Sequence, residues 1–310
     1  MLVSVTYIIL LGQRIPFGSA LVSFGWSLCT ILGIAGFGYL SNDLGDRKAD
    51  HKAGKKNLLA TLPMTHIVGL VVLFLGLGIL PWVVYFPLTK LTGVLLGLEF
   101  LLFVFYVLPP FRLKERRIWG VFTDALYAHA VPAALAGLTF LALADPLVLV
   151  FPMVLPTLVI WQFCLGMRNI LLHQLKDAKN DRISRIQTFV TRVGESKSEN
   201  LLAHVFVPLE LLAWLLFLGA MTSVSWLPLV GWAIYLLWQV PKQGNHRELR
   251  TWLYAYLDDF YIPYLPMTIL ISLCLEDWRM TLLALLHVLL FKTALSPTKF
   301  RIFQWIRRAF

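Results

Sequence analysis

Long apolar stretches separated by short polar ones dominate this chain. Nine of them approach the length of about 20 residues that an α-helix needs to cross a bilayer. They run over residues 18–41, 62–87, 89–110, 118–144, 146–172, 201–221, 226–241, 260–275 and 280–295. They lack the two-residue alternation of a membrane β-barrel, and an open strand edge finds no hydrogen-bond partner in lipid. The pattern therefore predicts an all-α integral membrane protein with about nine transmembrane helices.

The composition supports this prediction. Of the 310 residues, 58% are hydrophobic and only 14% are charged, whereas a soluble domain carries roughly 25% charged residues. A tenth apolar stretch, residues 1–13, is too short to span, and it lacks the basic start and the cleavage site of a signal peptide. We expect a truncated or misassigned start there.

Basic residues concentrate in alternate loops. They are Arg47, Lys48, Lys52, Lys55 and Lys56; Arg112, Lys114, Arg116 and Arg117; Lys176, Lys179, Arg182, Arg185, Arg192 and Lys197; Lys242, Arg247 and Arg250; and Lys299, Arg301, Arg307 and Arg308. The positive-inside rule places all five groups in the cytoplasm, which predicts a multi-pass protein of the bacterial inner membrane or an equivalent membrane. This topology accounts for most of the net charge of +10. We therefore expect membrane lipids, and no nucleic acid, as partners.

Two acidic clusters lie at the ends of two apolar stretches. Asp46 and Asp177 are 131 residues apart, and so are Asp50 and Asp181. We expect residues 1–310 to form one polytopic domain of two similar halves, about 18–144 and 146–275, with an extra C-terminal segment at 280–310. Each half then carries its acidic cluster on the cytoplasmic side.

Helical spacing aligns polar residues within each cluster, since residues three or four apart share a face of a helix. Asn42, Asp46 and Asp50 step by four with Asp43 beside Asp46, and Asn169, His173, Asp177 and Asp181 step by four without a break. If the two faces meet, five carboxylates lie close together at the cytoplasmic ends of the helices. Oxygen ligands of this kind suit Mg²⁺, which favours sites shared with phosphate oxygens. A single cluster would also fit a solvated helix end, but the common offset and common side favour the metal site.

A third element follows the stretch 89–110 on the same side. Pro109 and Pro110 end the helix that contains Tyr106. Arg112 and Lys114 then fall just outside the membrane, where they can bind phosphate. The same residues would also serve as a positive-inside anchor.

The three elements together resemble the UbiA superfamily of membrane prenyltransferases over roughly residues 18–240. The family's Asn-Asp-x-x-Asp-x-x-x-Asp motif is met by Asn42, Asp43, Asp46 and Asp50, its Asp-x-x-x-Asp motif by Asp177 and Asp181, and its Tyr/Lys loop by Tyr106 and Lys114. The form of the loop leans to the chlorophyll synthase and archaeal ether-lipid branch. The chain departs from the family after the first motif, where Lys55 and Lys56 replace an Arg-Thr…Arg-Pro run.

The resemblance implies about nine helices around a central cavity and Mg²⁺-dependent transfer of an isoprenyl group from its diphosphate to a lipophilic or aromatic acceptor. It implies metal ligands at Asp43, Asp46, Asp50, Asp177 and Asp181, with Asp46, Asp177 and Tyr106 as catalytic residues. At the diphosphate we expect Asn42, Arg47, Arg112 and Lys114, with Lys55 and Lys56 as candidate replacements for the missing run. Asn169 and His173, on the polar face of the second cluster, are further candidates; His173 would equally fit a helix end without a role in binding.

Three other functions are compatible with the sequence. A UbiA-type terpene cyclase would use the same diphosphate site without an acceptor, and a transporter would use the carboxylates to carry cations. A transporter needs acidic residues near the membrane midplane, however, and here they lie at one end of their helices. A non-catalytic relative is disfavoured because both aspartate motifs are intact. Nothing in the sequence selects the acceptor or the prenyl length.

Overall fold

The computed structural model describes residues 15–52, 54, 57–142, 151–183, 186–220, 230–231, 233–234, 253–254, 257, 260–261 and 265–291. These residues are almost entirely helical and include no strand. The chain divides into two compact units, one of residues 24–220 and one of residues 3–23 with 221–310. The predicted all-α class is confirmed, whereas the division into two similar halves stays a prediction.

The described residues of the unit 24–220 form nine α-helices or parts of them. They are α1 (Phe17–Lys52, which begins in the other unit), α2 (Met64–Val84), α3 (Lys90–Val107), α4 (Ile118–Ala125), α5 (Val131–Ala142), α6 (Phe151–Ile183), α7 (Phe189–Val193), α8 (Glu195–Leu201) and α9 (Val207–Ala220). Two π-helical segments, Leu126–Ala130 and Leu202–Phe206, join α4 to α5 and α8 to α9.

Six helical spans among the described residues are long and apolar enough to cross a membrane: Phe17–Arg47, Met64–Val84, Lys90–Val107, Ile118–Thr139, Met153–Ile183 and Glu195–Ala220. Two shorter apolar helices, Leu265–Glu276 and Trp278–Leu290, overlap the last two predicted stretches, 260–275 and 280–295. The predicted stretch 226–241 lies almost wholly outside the described residues. The protein is thus an integral multi-pass membrane protein.

Glycine allows α1 to lie directly against the end of α3. A Cβ atom at Gly45 would fall 2.0 Å from Val107 Cγ1 and 3.1 Å from the Val107 carbonyl oxygen. Further along the same contact, the Phe37 ring meets the rings of Phe100 and Phe103 edge-on, at centroid distances of 5.1 and 6.2 Å. The absence of a side chain at Gly45 therefore sets how closely the acidic end of α1 approaches the loop that follows α3.

A second close approach joins α4 to α6. A Cβ atom at Gly166 would lie 2.8 Å from Ala125 Cα. The π-helical segment Leu126–Ala130 begins directly after this contact, and Pro132 follows two residues beyond it. The second π-helical segment, Leu202–Phe206, is likewise followed two residues later by a proline, Pro208. A proline has no backbone N–H, and its ring crowds the carbonyl group one turn earlier in the helix. The wider π-helical turn before each proline relieves this crowding.

The most extensive packing in this unit joins α6 to α9. Trp161 packs against Trp214 and Phe217, with ring centroids 4.5 and 5.4 Å apart. Beside these rings, Arg168 Nε donates to Glu210 Oε2 at 2.7 Å, and both side chains are fully buried. Loss of one partner of such an ion pair is costly, because it leaves the other charge without its partner in an apolar interior.

The second unit is described mainly through α10 (Leu265–Glu276) and α11 (Thr281–Leu290). Asp277 lies between them and accepts from the Arg279 backbone N–H at 3.0 Å, while the Arg279 guanidinium binds the same carboxylate. These hydrogen bonds hold the pKa of Asp277 below its usual range. Arg279 also lies over the Phe17 ring, 5.9 Å from its centroid.

Gly45→Ala should push α1 away from α3, because the added methyl group overlaps the Val107 side chain. We expect a loss of about 1–3 kcal/mol in the free energy of unfolding, measured by denaturation in detergent. The matched control is Gly97→Ala on α3, where an added Cβ would meet no atom within 4 Å. Equal stability of the two variants would contradict a close contact at Gly45.

Glu210→Leu should leave the buried Arg168 charge without its carboxylate and cost about 3–5 kcal/mol. The double variant Arg168→Met with Glu210→Leu should recover most of this loss, since it removes both charges. The exposed Glu199→Leu change is the control for the loss of a carboxylate. A double variant as unstable as Glu210→Leu would show that the two side chains do not depend on each other.

Candidate functional site

The first aspartate motif, residues 42–50, lies on the last turns of α1. Asp43, Asp46 and Asp50 are close enough for their charges to interact, as the spacing of three and four residues predicts. The chain then folds back over this end of the helix: Asn57 Nδ2 donates to the Asp43 carbonyl oxygen at 2.8 Å and to Asp50 Oδ2 at 2.9 Å.

Arg47 and Asn42 complete the described part of this motif. Arg47 Nη2 donates to the Ala60 carbonyl oxygen at 2.9 Å, so it stabilises the same folded-back segment. Asn42 is exposed. Lys55 and Lys56, which we expected at the diphosphate, lie outside the described residues.

The Tyr/Lys loop, residues 106–114, brings two cations to the first motif. Lys114 Nζ and Arg112 Nη2 both bind Asp46 Oδ1, the second at 3.4 Å. Arg112 Nη1 also donates to the Gly45 carbonyl oxygen at 3.1 Å, and its Nε binds Glu115 at 2.6 Å. The Lys114 side chain is only 13% exposed, so water screens this charge pair less than it screens a pair on the surface.

The second aspartate motif, residues 177–181, lies on the last turns of α6. His173 Nε2 lies 3.4 Å from Asp177 Oδ2, one helical turn away. Thr188 Oγ1 donates to Asp181 Oδ2 at 3.4 Å, and Gln174 accepts from the Val190 backbone N–H at 3.3 Å. These contacts fix the segment after α6 against the helix. Asn169 is half-buried two turns before Asp177.

A cluster of three half-buried residues joins the end of α3 to the end of α4 and the π-helical turn that follows. Tyr127 donates its hydroxyl proton to Asp124 Oδ2 at 2.5 Å. The Tyr106 ring meets the Tyr127 ring edge-on, with centroids 5.1 Å apart. Tyr106 also interacts electrostatically with Asp46 of the first motif.

Sequence reasoning singled out Tyr106 but missed Asp124 and Tyr127. Asp124 lies within the predicted stretch 118–144, where the many apolar neighbours conceal it in any averaged hydropathy. The signal was nevertheless present, because an ionisable residue inside a membrane span marks a functional site or a buried network. Tyr127, three residues later, shares its helical face.

The residues of the two motifs suit Mg²⁺ by chemistry. All five aspartates offer oxygen ligands, and the three of the first motif interact through their charges, which a cation would relieve. No group of three or more potential ligands among the described residues is already arranged around one point. The metal site therefore stays a prediction, with Asp43, Asp46, Asp50, Asp177 and Asp181 as its ligands.

Comparison with known proteins places this arrangement in a family. Neither the curated proteins nor the solved structures yield a match. The sequence model that describes the UbiA prenyltransferase family matches residues 1–262, which is most of the chain and includes both aspartate motifs and the Tyr/Lys loop. The resemblance that those motifs indicated is thus confirmed, although its branch is not. The chain is a membrane protein of the UbiA prenyltransferase family.

Proposed function

We propose that the protein transfers an isoprenyl group from a prenyl diphosphate to a lipophilic or aromatic acceptor, with Mg²⁺ bound at the two aspartate motifs. The observation that carries this proposal is the pairing of Asp46 with Lys114 and Arg112. It joins a predicted metal ligand to two cations at the mouth of the helices. Carboxylates for a metal and fixed cations for phosphate oxygens are what a diphosphate site needs.

In the proposed reaction, the bond between C1 of the allylic chain and the diphosphate oxygen breaks. The electron pair stays on the diphosphate, and the carbon becomes an allylic cation. A nucleophilic atom of the acceptor then bonds to that carbon, and the acceptor's proton passes to the released diphosphate. Bound Mg²⁺ would supply positive charge to the departing diphosphate.

Lys114 and Arg112 are placed to add to that charge. In this structure Asp46 already holds both side chains in place, so little reorganisation is needed when negative charge develops on the leaving group. The hydrogen bond from Arg112 to the Gly45 carbonyl fixes the guanidinium against α1. Cations that are held beside a predicted metal ligand in this way support the proposal of a diphosphate site.

Aromatic side chains line the membrane side of the same region. The Phe103 ring lies 4.3 Å from the Tyr127 ring and also contacts Phe37. A cation is stabilised by the faces of aromatic rings, and these apolar groups also keep out water that would capture it. The spans beneath offer an apolar environment for the prenyl tail.

The basic loops support a cytoplasmic orientation for this site. The proposed cytoplasmic side contains both aspartate motifs and the Tyr/Lys loop, which are the ends of α1, α3 and α6. A prenyl diphosphate would reach the site from that side, where the basic loops also lie next to the anionic lipid surface. The acceptor would reach the site from the bilayer.

Asp46→Ala should abolish turnover, because it removes a metal ligand and releases Lys114 and Arg112 together. We expect diphosphate release to fall by about 10²–10³-fold, measured on purified protein in detergent with Mg²⁺, farnesyl and geranylgeranyl diphosphates, and a membrane lipid extract as the source of acceptor. Asp277→Ala, which removes an aspartate of the other unit, is the matched control.

Release by the wild-type protein that does not depend on Mg²⁺, or that Asp46→Ala leaves intact, would contradict the proposed function. The labelled product distinguishes the reaction classes. A prenylated acceptor indicates transfer, and a cyclic hydrocarbon indicates a terpene cyclase.

Lys114→Gln should weaken the hold on the diphosphate while it leaves the carboxylates in place. We expect the KM for the prenyl diphosphate to rise about tenfold, in keeping with the loss of one charge-assisted contact. The exposed Lys197→Gln change removes the same charge elsewhere and should leave KM within about twofold. Similar KM values for the two variants would exclude Lys114 from the diphosphate site.

A further inference from the structure

A groove separates the start of α4 from the segment that follows α6. It has a volume of about 640 Å³ and is lined by Arg117, Ile186, Gln187, Thr191 and Arg192. Arg117 directly precedes α4, and the other four residues belong to α7 or to the turn before it. The helices α4 and α7 are in contact. Because two of the lining residues are arginines and none is acidic, we call this feature the basic groove.

The two arginines of the basic groove differ from the other arginines that the structure describes. Six of those eight side chains bind a carbonyl oxygen or a carboxylate: Arg47, Arg112, Arg116, Arg168, Arg182 and Arg279. Within the same described residues, the side chains of Arg117 and Arg192 have neither a hydrogen bond nor an ion pair, and both are exposed. The two arginines without a protein partner therefore lie in one groove.

The acidic residues nearest in sequence to these arginines are already paired with other cations. Glu115 binds Arg112 at 2.6 Å, and Glu195 binds Arg182 at 2.8 Å. Two positive charges that share a groove without a carboxylate repel each other, and an anion between them would turn this repulsion into attraction. The charge of the groove thus favours an anionic ligand.

The backbone on both sides of the basic groove is fixed in place. On one side, Thr191 Oγ1 lies 3.2 and 3.1 Å from the carbonyl oxygens of Ile186 and Thr188. On the other side, a Cβ atom at Gly120 would lie 2.8 Å from the Leu113 carbonyl oxygen, so the start of α4 lies directly against the Tyr/Lys loop. The groove is therefore preformed, and a ligand needs to order only its side chains.

The basic groove lies at the level where two spans begin. Arg117 directly precedes the span Ile118–Thr139, and Arg192 lies three residues before the span Glu195–Ala220. Trp119, which is 65% exposed, is a residue type that is enriched at the membrane–water interface. Lipid phosphates lie at this level, and basic pockets between spans bind anionic headgroups.

We propose that the basic groove binds a phosphate group at the surface of the bilayer, with Arg117 and Arg192 as the residues that hold it. The guanidinium fork matches the geometry of phosphate oxygens, and the exposed Gln187 amide can donate a further hydrogen bond. The phosphate belongs either to the headgroup of an anionic lipid or to a soluble phosphorylated molecule. This site uses neither aspartate motif, and it does not depend on the proposed prenyl transfer.

The test measures binding to the purified protein in neutral detergent, without Mg²⁺ and without prenyl diphosphate. The two probes are phosphatidylglycerol in the micelles and inorganic phosphate in the buffer, and the shift of the unfolding midpoint with probe concentration gives an apparent Kd for each. We expect Arg117→Gln with Arg192→Gln to raise the apparent Kd about tenfold, because it removes charge-assisted hydrogen bonds from a partly solvated site.

Two control variants show whether the groove itself is responsible. Lys176→Gln with Lys197→Gln removes two charges from exposed lysines outside the groove and should leave the apparent Kd within about twofold. Lys114→Gln, at the proposed diphosphate site, should do the same. A tenfold loss in the lysine pair would overturn the proposal in favour of general attraction to basic loops, and a tenfold loss in Lys114→Gln would overturn it in favour of the diphosphate site.

If the double arginine variant does not fold, Arg192→Gln alone carries the test. Its side chain is exposed, so its loss should not disturb folding, and we expect the apparent Kd to rise about threefold. An unchanged Kd for this variant would overturn the proposal.

The two probes identify the source of the phosphate. Arginine-dependent binding of phosphatidylglycerol alone supports a lipid headgroup, and arginine-dependent binding of inorganic phosphate supports a soluble phosphorylated molecule. If the wild-type protein binds neither probe, or if the double arginine variant binds as tightly as the wild type, the proposal is overturned. The proposed prenyl transfer is tested separately by diphosphate release, so failure of one proposal does not entail failure of the other.

Discussion

The contact of Asp46 with Lys114 and Arg112 is the interaction on which the proposed site depends. It joins the end of α1 to the loop after α3, at the level where the chain leaves the apolar region. Opposite charges at this depth attract more strongly than on an open surface, because the medium around them screens less. Gly45 makes the contact possible, since any side chain at that position would overlap Val107 and separate the two helices.

The cost of burying charge also explains how the acidic groups at this end are arranged. A carboxylate near the hydrocarbon needs hydrogen bonds or cations, and three of these groups have three different kinds of partner. Asp46 binds basic side chains, Asp50 accepts from the Asn57 amide, and Asp124 accepts from the Tyr127 hydroxyl. These differences allow the groups to serve different purposes, because a carboxylate paired with a lysine and one paired with a phenol respond differently to an incoming anion.

Much of this arrangement follows from the sequence, because hydropathy and helical periodicity are strong signals in a membrane protein. The stretch 62–87 becomes Met64–Val84, and the steps of three and four residues place Asp43, Asp46 and Asp50 close together. The helical stretches 18–41 and 146–172 continue to Lys52 and Ile183, which hydropathy alone does not predict, since the added turns are polar.

The contacts between spans could not be predicted in the same way. Asp124 lies within an apolar stretch, and nothing local indicates that Tyr106, 18 residues earlier, packs against its partner Tyr127. The buried pair of Arg168 with Glu210 depends on which faces of α6 and α9 meet. The spacing of residues shows which of them share one face of a helix. It does not show which other helix that face packs against, because many apolar faces are compatible with one another. The charged residues of 55–56 lie outside the described residues, so their place at the diphosphate stays a prediction.

The helix α6 connects the packing of the spans to the candidate site, because it carries both Arg168 of the buried ion pair and the second aspartate motif. Arg168 is fully buried and bound to Glu210, and His173 and Asp177 follow within three turns. Gly166, two residues before Arg168, lets α4 lie directly against α6, since a Cβ atom there would fall 2.8 Å from Ala125 Cα. A continuous helix transmits the position of one end to the other, because each turn is fixed by backbone hydrogen bonds. The buried ion pair therefore does more than hold the core together: it fixes α6, and with it the end that carries the second motif, relative to α9.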